Sequence, residues 1–407
     1  MTAPASVRGV LLAGLTVAGS VAPAQDVKIH AFLDGRLVDA PSPTSFTEGG
    51  YGKTRYGNGD TRLQFGGGGL VVTAQATPAL FGLVDVQAQT TDHRMLGLVE
   101  SYLRYRPVSL SPWRWSLQAG VFFPPVSLEN DGIGWTSPWT ITPSAINSWV
   151  GEELRDVGLQ GQLQWRGQGS SLAVTGALFR RNEIAGNILA VRGWSLSDLT
   201  YGLGERIRLP DKPDDDGQAP TERYDPFRRV TNQIGWHADV TWRAPGNTRV
   251  TLLRWDNNAD PHAWVPYEGG DRLFAWRTKF WSLGATTQSG PVTLIAQAME
   301  GGTLARPGMR HVQTHFRSAF VLVGWNQGAW RPALRVEHFS TDTDSSFGDG
   351  GEHGNAVTAA LAWRPRDWLR ITYELMRVDS YRLDLASEGQ SPHVKATQMQ
   401  VSARLLY

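Results

Sequence analysis

Apolar and polar residues alternate at every second position through much of the chain. In 113–123 the odd positions hold Trp, Leu, Ala, Val and Phe, whereas the even positions include Arg114 and Gln118. The stretch 157–166 shows the same pattern with Gln and Arg. A period of two is that of a β-strand. An apolar face ending in an aromatic residue, opposite a charged face, is typical of a strand between lipid and water. The alternative is a soluble sandwich or propeller with reversed facing.

Sixteen such segments follow one another, which predicts an all-β chain forming a transmembrane antiparallel β-barrel of 16 strands. The connections alternate between short turns and longer loops, as in barrels whose two chain ends lie on the turn side. The third and fourth longer loops, 125–154 and 182–230, are the longest and are predicted to be extracellular. The predicted strands are 27–38, 61–76, 81–91, 97–106, 114–124, 155–166, 170–181, 231–243, 248–257, 271–287, 291–300, 312–326, 329–339, 354–364, 367–378 and 394–407.

The N-terminus has the three parts of a secretory signal peptide. Arg8 supplies the positive charge, 9–21 is an apolar stretch, and 22–24 are small residues at a cleavage site. The apolar stretch of 13 residues is too short to span a bilayer, which needs about 20 residues. The alternative is a buried N-terminal helix. We expect residues 1–24 to be cleaved and 25–407 to form a single outer-membrane barrel domain.

Composition narrows the classes of function. The 407 residues include no Cys, which excludes disulfides, Cys-ligated zinc, iron–sulfur clusters and thiol nucleophiles. Loss of residues 1–24, with one Arg and no acid, leaves 38 basic and 38 acidic residues. The net charge thus falls from +1 to zero, and no nucleic-acid partner is expected. The 17 Trp and 45 Gly are unusual in a chain with a mean hydropathy of -0.29. A barrel accounts for this because its apolar residues occupy alternate positions.

Sixteen strands predict an open aqueous lumen, because only small barrels are filled by their own side chains. Arg is the commonest charged residue on the predicted inner face, and all but five of the 39 basic residues are Arg. Two interpretations remain open: the arginines favour the passage of anions, or they pair with neighbouring acids. The residues predicted to line the pore are Tyr102, Arg104, Arg106, Gln160, Gln162, Gln164, His237, Asp239, Arg335, Glu337, Arg370, Glu374 and Arg404.

The third loop, 125–154, is predicted to form the constriction. Thr142 and Pro143 suit the first positions of a helix, and 144–149 could form one helical turn. If the loop folds into the lumen, its aromatic residues are buried and its acids face the arginines across a narrow opening. The alternative is that its Trp residues pack outside, on a neighbouring subunit or on lipid headgroups. The constriction residues are Glu129, Asp131, Trp135, Trp139, Trp149, Glu152 and Glu153.

The last strand ends on an aromatic residue after a strict alternation. Its outward positions are Met399, Val401, Ala403, Leu405 and Tyr407. This resembles the terminal strand by which the barrel assembly machinery recognises outer-membrane barrels. The whole chain resembles Gram-negative outer-membrane porins, and the segments 141–154 and 52–57 look like stretches of porin-like proteins. Within that superfamily are the phosphate-selective porins, but this chain has only five Lys and no lysine ladder.

The resemblance implies an outer-membrane porin for passive diffusion of ions and small hydrophilic solutes. The arginines of the predicted inner face add the expectation of a modest anion preference. The resemblance also implies a homotrimer as one form of assembly, and outer-membrane lipids and lipopolysaccharide as surroundings. The alternatives are a barrel that acts as a surface receptor or structural protein, and an outer-membrane lipid hydrolase. No local Ser–His signature selects a nucleophile, so we expect no enzyme, no catalytic residue and no cofactor.

Metal sites are not expected either. His311 and His315 have a spacing that suits zinc on a helix, but on a strand it separates them by about 13 Å. The glycine run 66–69 precedes no helix that could hold a phosphate. The acidic stretch 211–216 and Glu222 could bind Ca²⁺ or bridge lipopolysaccharide through divalent ions, or could simply be a solvated loop.

Overall fold

Sixteen long strands form the architecture. The computed structural model describes residues 26–59, 61–90, 95–210, 223–267, 271–387 and 389–407. The predicted signal peptide 1–24 and the acidic stretch 211–222 lie outside these residues. In chain order the strands are β1 Asp26–Asp39, β2 Arg62–Gln75, β3 Leu80–Ala88, β4 Leu96–Tyr105, β5 Trp113–Phe122, β6 Asp156–Arg166, β7 Ser171–Arg180, β8 Gly235–Ala244, β9 Thr248–Asp256, β10 Arg277–Ser289, β11 Val292–Ala305, β12 Val312–Trp325, β13 Trp330–Ser345, β14 Gly350–Arg366, β15 Leu369–Arg382 and β16 His393–Leu406.

The sheet closes on itself. Each strand pairs antiparallel with the next, and residues 32–39 of β1 pair with 399–406 of β16. Beyond this ladder, the backbone N–H and C=O of Tyr407 bond to those of Ala31, at 2.9 and 3.0 Å. Closure leaves none of the sixteen described barrel strands with a free edge, which is a condition for a sheet in lipid. The predicted 16-stranded antiparallel barrel is therefore confirmed.

Several strand boundaries differ from the prediction: β11 ends at Ala305 rather than at 300, and β13 ends at Ser345 rather than at 339. Two further differences have a clear structural cause. The eighth strand begins at Gly235 rather than at 231, because Val230 and Thr231 donate their N–H groups to Glu183 instead of joining the sheet. The tenth predicted strand, 271–287, is divided. Arg272–Phe274 pairs with Trp264–Pro266 in a separate hairpin, and β10 begins only at Arg277.

The two ends of the barrel differ in their connections. Seven connections of two to seven residues join strands at one end, here called the turn end. The other end, here called the loop end, carries the long connections, of which 123–155 and 181–234 are the longest. Both β1 and β16 have their free ends at the turn end, as expected for an even number of strands.

The outer face is apolar and has an aromatic belt at the turn end. In β16, Val401 and Leu405 are exposed, whereas Gln400, Ser402 and Arg404 between them are buried. Such a face in contact with water would be unfavourable, and lipid is its natural solvent. Two belt rings, those of Trp330 and Trp363, stack with centroids 5.6 Å apart. The exposed belt residues are Tyr105, Trp113, Trp165, Trp242, Trp325, Trp330, Trp363, Trp368 and Tyr407.

The inner face is not uniformly polar, which corrects the expectation of a charged inner wall. Toward the loop end it carries large buried apolar side chains, among them Phe179, Trp255, Phe280, Phe316 and Phe339. They face inward because they pack against loops that fold into the barrel and not against water. Together with loop residues they form the main hydrophobic core of the protein.

Three connections fill the loop-end half of the lumen. We call them the plug, defined as residues 40–59, 123–155, 181–210 and 223–234. The described part of the plug contains two α-helices, α1 Ala145–Glu153 and α2 Asn187–Val191, and a short 3-10 helix at Phe46–Glu48. No helix among the described residues is long and apolar enough to cross a membrane. Every residue of α1 is buried, so the helix has no solvent-exposed face.

A buried group of charges lies across the seam between β1 and β16. The carboxylate of Asp34 accepts hydrogen bonds from Arg404 at 2.6 Å, Arg36 at 2.8 Å and Ser402 at 2.6 Å. Asp34, Arg36 and Arg404 are each less than 5% exposed. A charge buried to this degree is tolerated only because its partners are in place.

We expect Asp34→Ala to destabilise the barrel because it leaves two buried guanidinium groups without their shared partner. Loss of one member of such a group costs about 3–5 kcal/mol. The measurement is the temperature at which the folded, faster-migrating form is lost on a detergent gel. Asp26→Ala, an exposed position on the same strand, is the control. Equal transition temperatures for the two variants would contradict this role of Asp34.

Candidate functional site

The third loop enters the lumen and carries α1 at its centre. Ser144 caps the helix, and its side chain accepts a hydrogen bond from the N–H of Asn147. The predicted helix start at Thr142 was wrong, because the N–H of Thr142 donates to Glu374 and the cap is Ser144. The predicted turn 144–149 lies almost wholly within α1, which continues further, to Glu153.

The barrel wall holds this loop through its backbone. Glu374 accepts from the N–H of Ile141 at 2.6 Å, and Glu337 accepts from that of Ala145 at 2.7 Å. Arg335 donates to the backbone oxygens of residues 142 and 143, at 2.8 and 3.0 Å. Arg335 and Glu337 also pair with each other at 2.8 Å. These three side chains are therefore anchors for the loop, at positions where sequence reasoning expected a pore lining.

Glu129 of the loop lies against the same anchors. Its carboxylate accepts from the side chains of Ser144 at 2.5 Å and Asn147 at 2.7 Å, and from Arg335 at 3.4 Å. Glu129 is fully buried. A loop acid thus does face a wall arginine, as expected, but the two are in contact and no aqueous opening separates them.

Glu152 and Glu153 do not face an opening either, which corrects their expected position. Both are fully buried where α1 meets the fourth loop. Glu152 pairs with Arg192 at 2.5 Å. Glu153 accepts from the indole of Trp149 at 2.8 Å, from the hydroxyl of Tyr224, and from the N–H groups of residues 186 and 188 at 2.7 and 3.2 Å. Burial raises the pKa of Glu153 to about 7, although these donors lower it.

The aromatic residues of the third loop have separate roles. Trp149 packs between Phe280 and Phe316 of the wall, with ring centroids 5.5 and 5.2 Å away. Trp135 stacks on Phe123 at 4.1 Å. The ring of Trp139 lies directly against Gly324 of β12. A side chain at that position would place its Cβ only 2.3 Å from the ring, so the contact requires glycine. The expectation that the loop buries its aromatic residues inside the barrel agrees with these contacts.

A second charged group joins the plug to the wall near β1. Asp198 of the fourth loop pairs with Arg36 at 2.5 Å and with Arg55 of the first loop at 2.9 Å. Burial raises the pKa of Asp198, but the two guanidinium groups hold it well below its usual range. Lys53 pairs with Glu352 of β14 at 2.6 Å. The plug is thus fastened to the wall at several independent points.

The larger open spaces of the lumen lie in its turn-end half, and a smaller cavity of about 150 Å³ lies among plug residues such as Phe46 and Leu199. A cavity of about 630 Å³ is bordered by Arg243, Arg249, Arg331 and Arg364. A second, of about 350 Å³, is bordered by His30, Asp85, Glu100 and Trp135, and a third, of about 160 Å³, by Gln160, Gln162 and Asp239. Asp131 of the loop borders both the 630 Å³ and the 350 Å³ cavity. The charged residues around the 630 Å³ cavity are therefore mainly basic, and those around the 350 Å³ cavity are mainly acidic.

The remaining predicted residues lie on the inner face or at its rim. Gln164 bonds to Ser171 of the neighbouring strand, and His237 is buried 3.3 Å from Asp156. Arg370 donates to the backbone of residue 137 at 3.4 Å and does not pair with Glu374, although both share one face. Tyr102 and Arg104 lie beside Phe81, and Arg106 is exposed just beyond β4.

Comparison with solved structures gives many matches. The outer membrane channel DcaP of Acinetobacter baumannii is 11% identical, with a TM-score of 0.53 over 94% of this chain and 97% of that chain. An anion-selective porin from Comamonas acidovorans is 13% identical, with a TM-score of 0.51 over 94% and 99%. OmpT of Vibrio cholerae, in a trimer form, is 10% identical, with a TM-score of 0.50 over 94% and 99%.

The chain has the fold of the outer-membrane porins. No protein-family model matches the sequence, and no curated protein sequence matches it. The structural similarity at these identities establishes the fold alone, so solute and selectivity have to be argued from this chain's own residues.

The predicted pore lining did not include most of the arginines that face the lumen at the turn end. A repeated dipeptide in the sequence could have identified them. The dipeptide Trp-Arg occurs six times, and five of these, at 113–114, 165–166, 242–243, 330–331 and 363–364, lie at the turn end. In these five the Trp is exposed in the aromatic belt, whereas Trp276 of the sixth, 276–277, is buried near the loop end. Since neighbouring residues of a strand point to opposite faces, each following Arg points inward at the same height. The repeated dipeptide therefore marks an inner arginine ring.

The plug is expected to loosen as the pH rises through the titration of Glu153. Its pKa is about 7 in the folded protein and 4.5 without burial. Between these values the closed plug binds more protons than an opened one, so it loses stability as the pH rises. Hydrogen exchange at the amides of Gly186 and Ile188, corrected for intrinsic rates, should be faster at about pH 7.5 than at about pH 5.

Glu153→Gln, which stays neutral, should remove this difference. Glu48→Gln, at an exposed position of the first loop, serves as the control and should retain it. If the difference persists in Glu153→Gln, another group controls the plug.

Proposed function

We propose that this chain is an outer-membrane porin through which ions and small hydrophilic solutes diffuse passively. The observation that carries the proposal is a closed 16-stranded barrel with an apolar outer face and charged cavities inside. A barrel of this size is wide enough to enclose a water-filled path. The plug narrows that path, so we expect a small conductance rather than that of a wide pore.

The same features support a location in the outer membrane of a Gram-negative cell. The aromatic belt at the turn end suits a membrane interface. The alternation of Met399, Val401, Ala403, Leu405 and Tyr407 suits recognition by the barrel assembly machinery. Lipids and lipopolysaccharide would then surround the outer face, and cleavage of residues 1–24 would follow export.

Purified protein reconstituted into planar bilayers should give stepwise ion conductance. If the protein is a homotrimer, as the OmpT structure in its trimer form is described, the current should rise in groups of three equal steps. Heat-denatured protein from the same preparation is the control. Folded protein that gives no steps at any applied voltage would contradict the channel function.

A modest anion preference is the finer part of the proposal. The motivating feature is the inner ring of arginines at the turn end, which includes Arg114, Arg166, Arg243, Arg331 and Arg364. Positive charge along a pore raises the local concentration of anions. The reversal potential in a potassium chloride gradient should therefore have the sign of chloride selectivity. A potential of the opposite sign would indicate that Asp85, Glu100 and Asp131 control passage instead.

A surface receptor or structural barrel is the second candidate, and the plug favours it. Three connections occupy the loop-end half of the lumen and are bonded to the wall by buried charges. A barrel used only as a platform for its loops would need no path through this region. The bilayer experiment separates the two candidates, because the platform would fold without conducting.

A further inference from the structure

We propose that the 630 Å³ cavity at the turn end is a binding site for a small, multiply charged oxyanion. The identification of that oxyanion as the solute of the channel rests on the proposed function. The site lies between the third loop and the wall: Leu128, Asp131 and Trp139 of the loop border it on one side, and the turn-end part of the wall borders it on the other. It is separate from the buried contacts that Arg335, Glu337 and Glu374 make with that loop.

Four arginines from two parts of the wall border the cavity. Arg243 of β8 and Arg249 of β9 are directly opposite each other in the strand register. Arg331 of β13 and Arg364 of β14 approach from the other side. Thr286 of β10, Thr293 of β11 and Asn326 of the turn after β12 complete the polar part of the wall lining. Basic groups thus stand at both ends of a lining that runs from β8 to β14.

These arginines lack the acidic partners that other inner arginines have. Arg36, Arg335 and Arg404 each form an ion pair with a carboxylate. Among the residues that the structure describes, no carboxylate lies within ion-pair distance of the four cavity arginines. The Nε atoms of Arg249, Arg331 and Arg364 are buried and have no acceptor within the protein. The hydrogen-bonding capacity of these guanidinium groups is therefore not used up by the protein itself.

Electrostatics favour an anion in this cavity. Like charges directly opposite each other on neighbouring strands are destabilising, and Arg243 and Arg249 have that arrangement. The carboxylate that borders the cavity is that of Asp131, on the plug side. Four arginines and one carboxylate therefore border the cavity, so its net charge is positive. A bound anion would relieve this repulsion.

The geometry indicates an oxyanion with more than one charge. A guanidinium group presents parallel N–H donors that match the oxygens of a carboxylate or phosphate group. The two arginine pairs stand on strands separated by three others, so a ligand that engages both pairs must carry more than one charged group. A volume of about 630 Å³ is within the range of small-molecule sites. Hydroxyl and amide groups such as those of Thr286 and Asn326 can bond to the remaining oxygens.

Isothermal titration of the full-length protein in detergent tests the site directly, with citrate and inorganic pyrophosphate as probes and chloride as the monovalent comparison. We expect saturable binding of citrate or pyrophosphate, one per chain, and no saturable binding of chloride. Binding of citrate alone identifies a carboxylate site, and binding of pyrophosphate alone a phosphate site. Absence of saturable binding for both probes would overturn the proposal.

The double substitution Arg331→Gln and Arg364→Gln should weaken binding by about tenfold or more, because two charged donors are lost. Arg377→Gln removes the same charge from an exposed position on the outer side of β15 and should leave the affinity unchanged. A single Arg243→Gln substitution is the second variant if the double variant does not fold. Unchanged affinity in a folded cavity variant would overturn the site.

Conductance measured on the same preparations keeps the two proposals apart. Saturable binding without conductance would support the site and contradict the channel function. Conductance without saturable binding would support the channel and overturn the site. With both present, citrate added from the turn-end side should reduce the current at lower concentration than citrate added from the loop end. Equal block from both sides would contradict a site at the turn end.

Discussion

Closure of the sheet between β1 and β16 is the constraint on which the rest of the molecule depends. In lipid, an unpaired backbone N–H or C=O group has no water to which it can hydrogen-bond. A strand is therefore stable there only if both its edges are paired. The ladder from Phe32 to Asp39 and the terminal bonds between Ala31 and Tyr407 complete this pairing. Asp34, bonded to Arg36 and Arg404 at that seam, adds buried charge pairs to the ladder.

A closed ring divides each strand into a lipid face and an inner face, and the inner face has two environments. Toward the loop end it meets the plug, so apolar side chains such as Phe316 and paired charges such as Arg335 with Glu337 are favourable there. Toward the turn end it borders open cavities, and unpaired arginines can remain hydrated. The same polar alternation therefore supports anchoring in one half of the lumen and solute contact in the other.

Much of the fold was predictable because alternation is a local property. All sixteen strands and their order followed from a period of two, since lipid on one side imposes a strict facing on every residue. The candidate site was predictable only in part. The third loop was expected inside the lumen, and Glu129 was expected opposite an arginine. The contacts of Glu152 and Glu153 with Arg192 and Tyr224 were not, because these partners lie 40 and 71 residues away in an irregular loop.

By itself the sequence determined the strand number and the two faces of each strand, and Trp-Arg dipeptides at the turn ends of strands mark a ring of inward arginines at one height. These depend on neighbouring residues and on the membrane. Only the tertiary structure decided which inward charges are buried and paired and which border open space. Arg335 and Arg331 are four residues apart on one face of β13, yet the first is fully buried against the plug and the second borders the cavity. The difference arises because the third loop reaches one position and not the other.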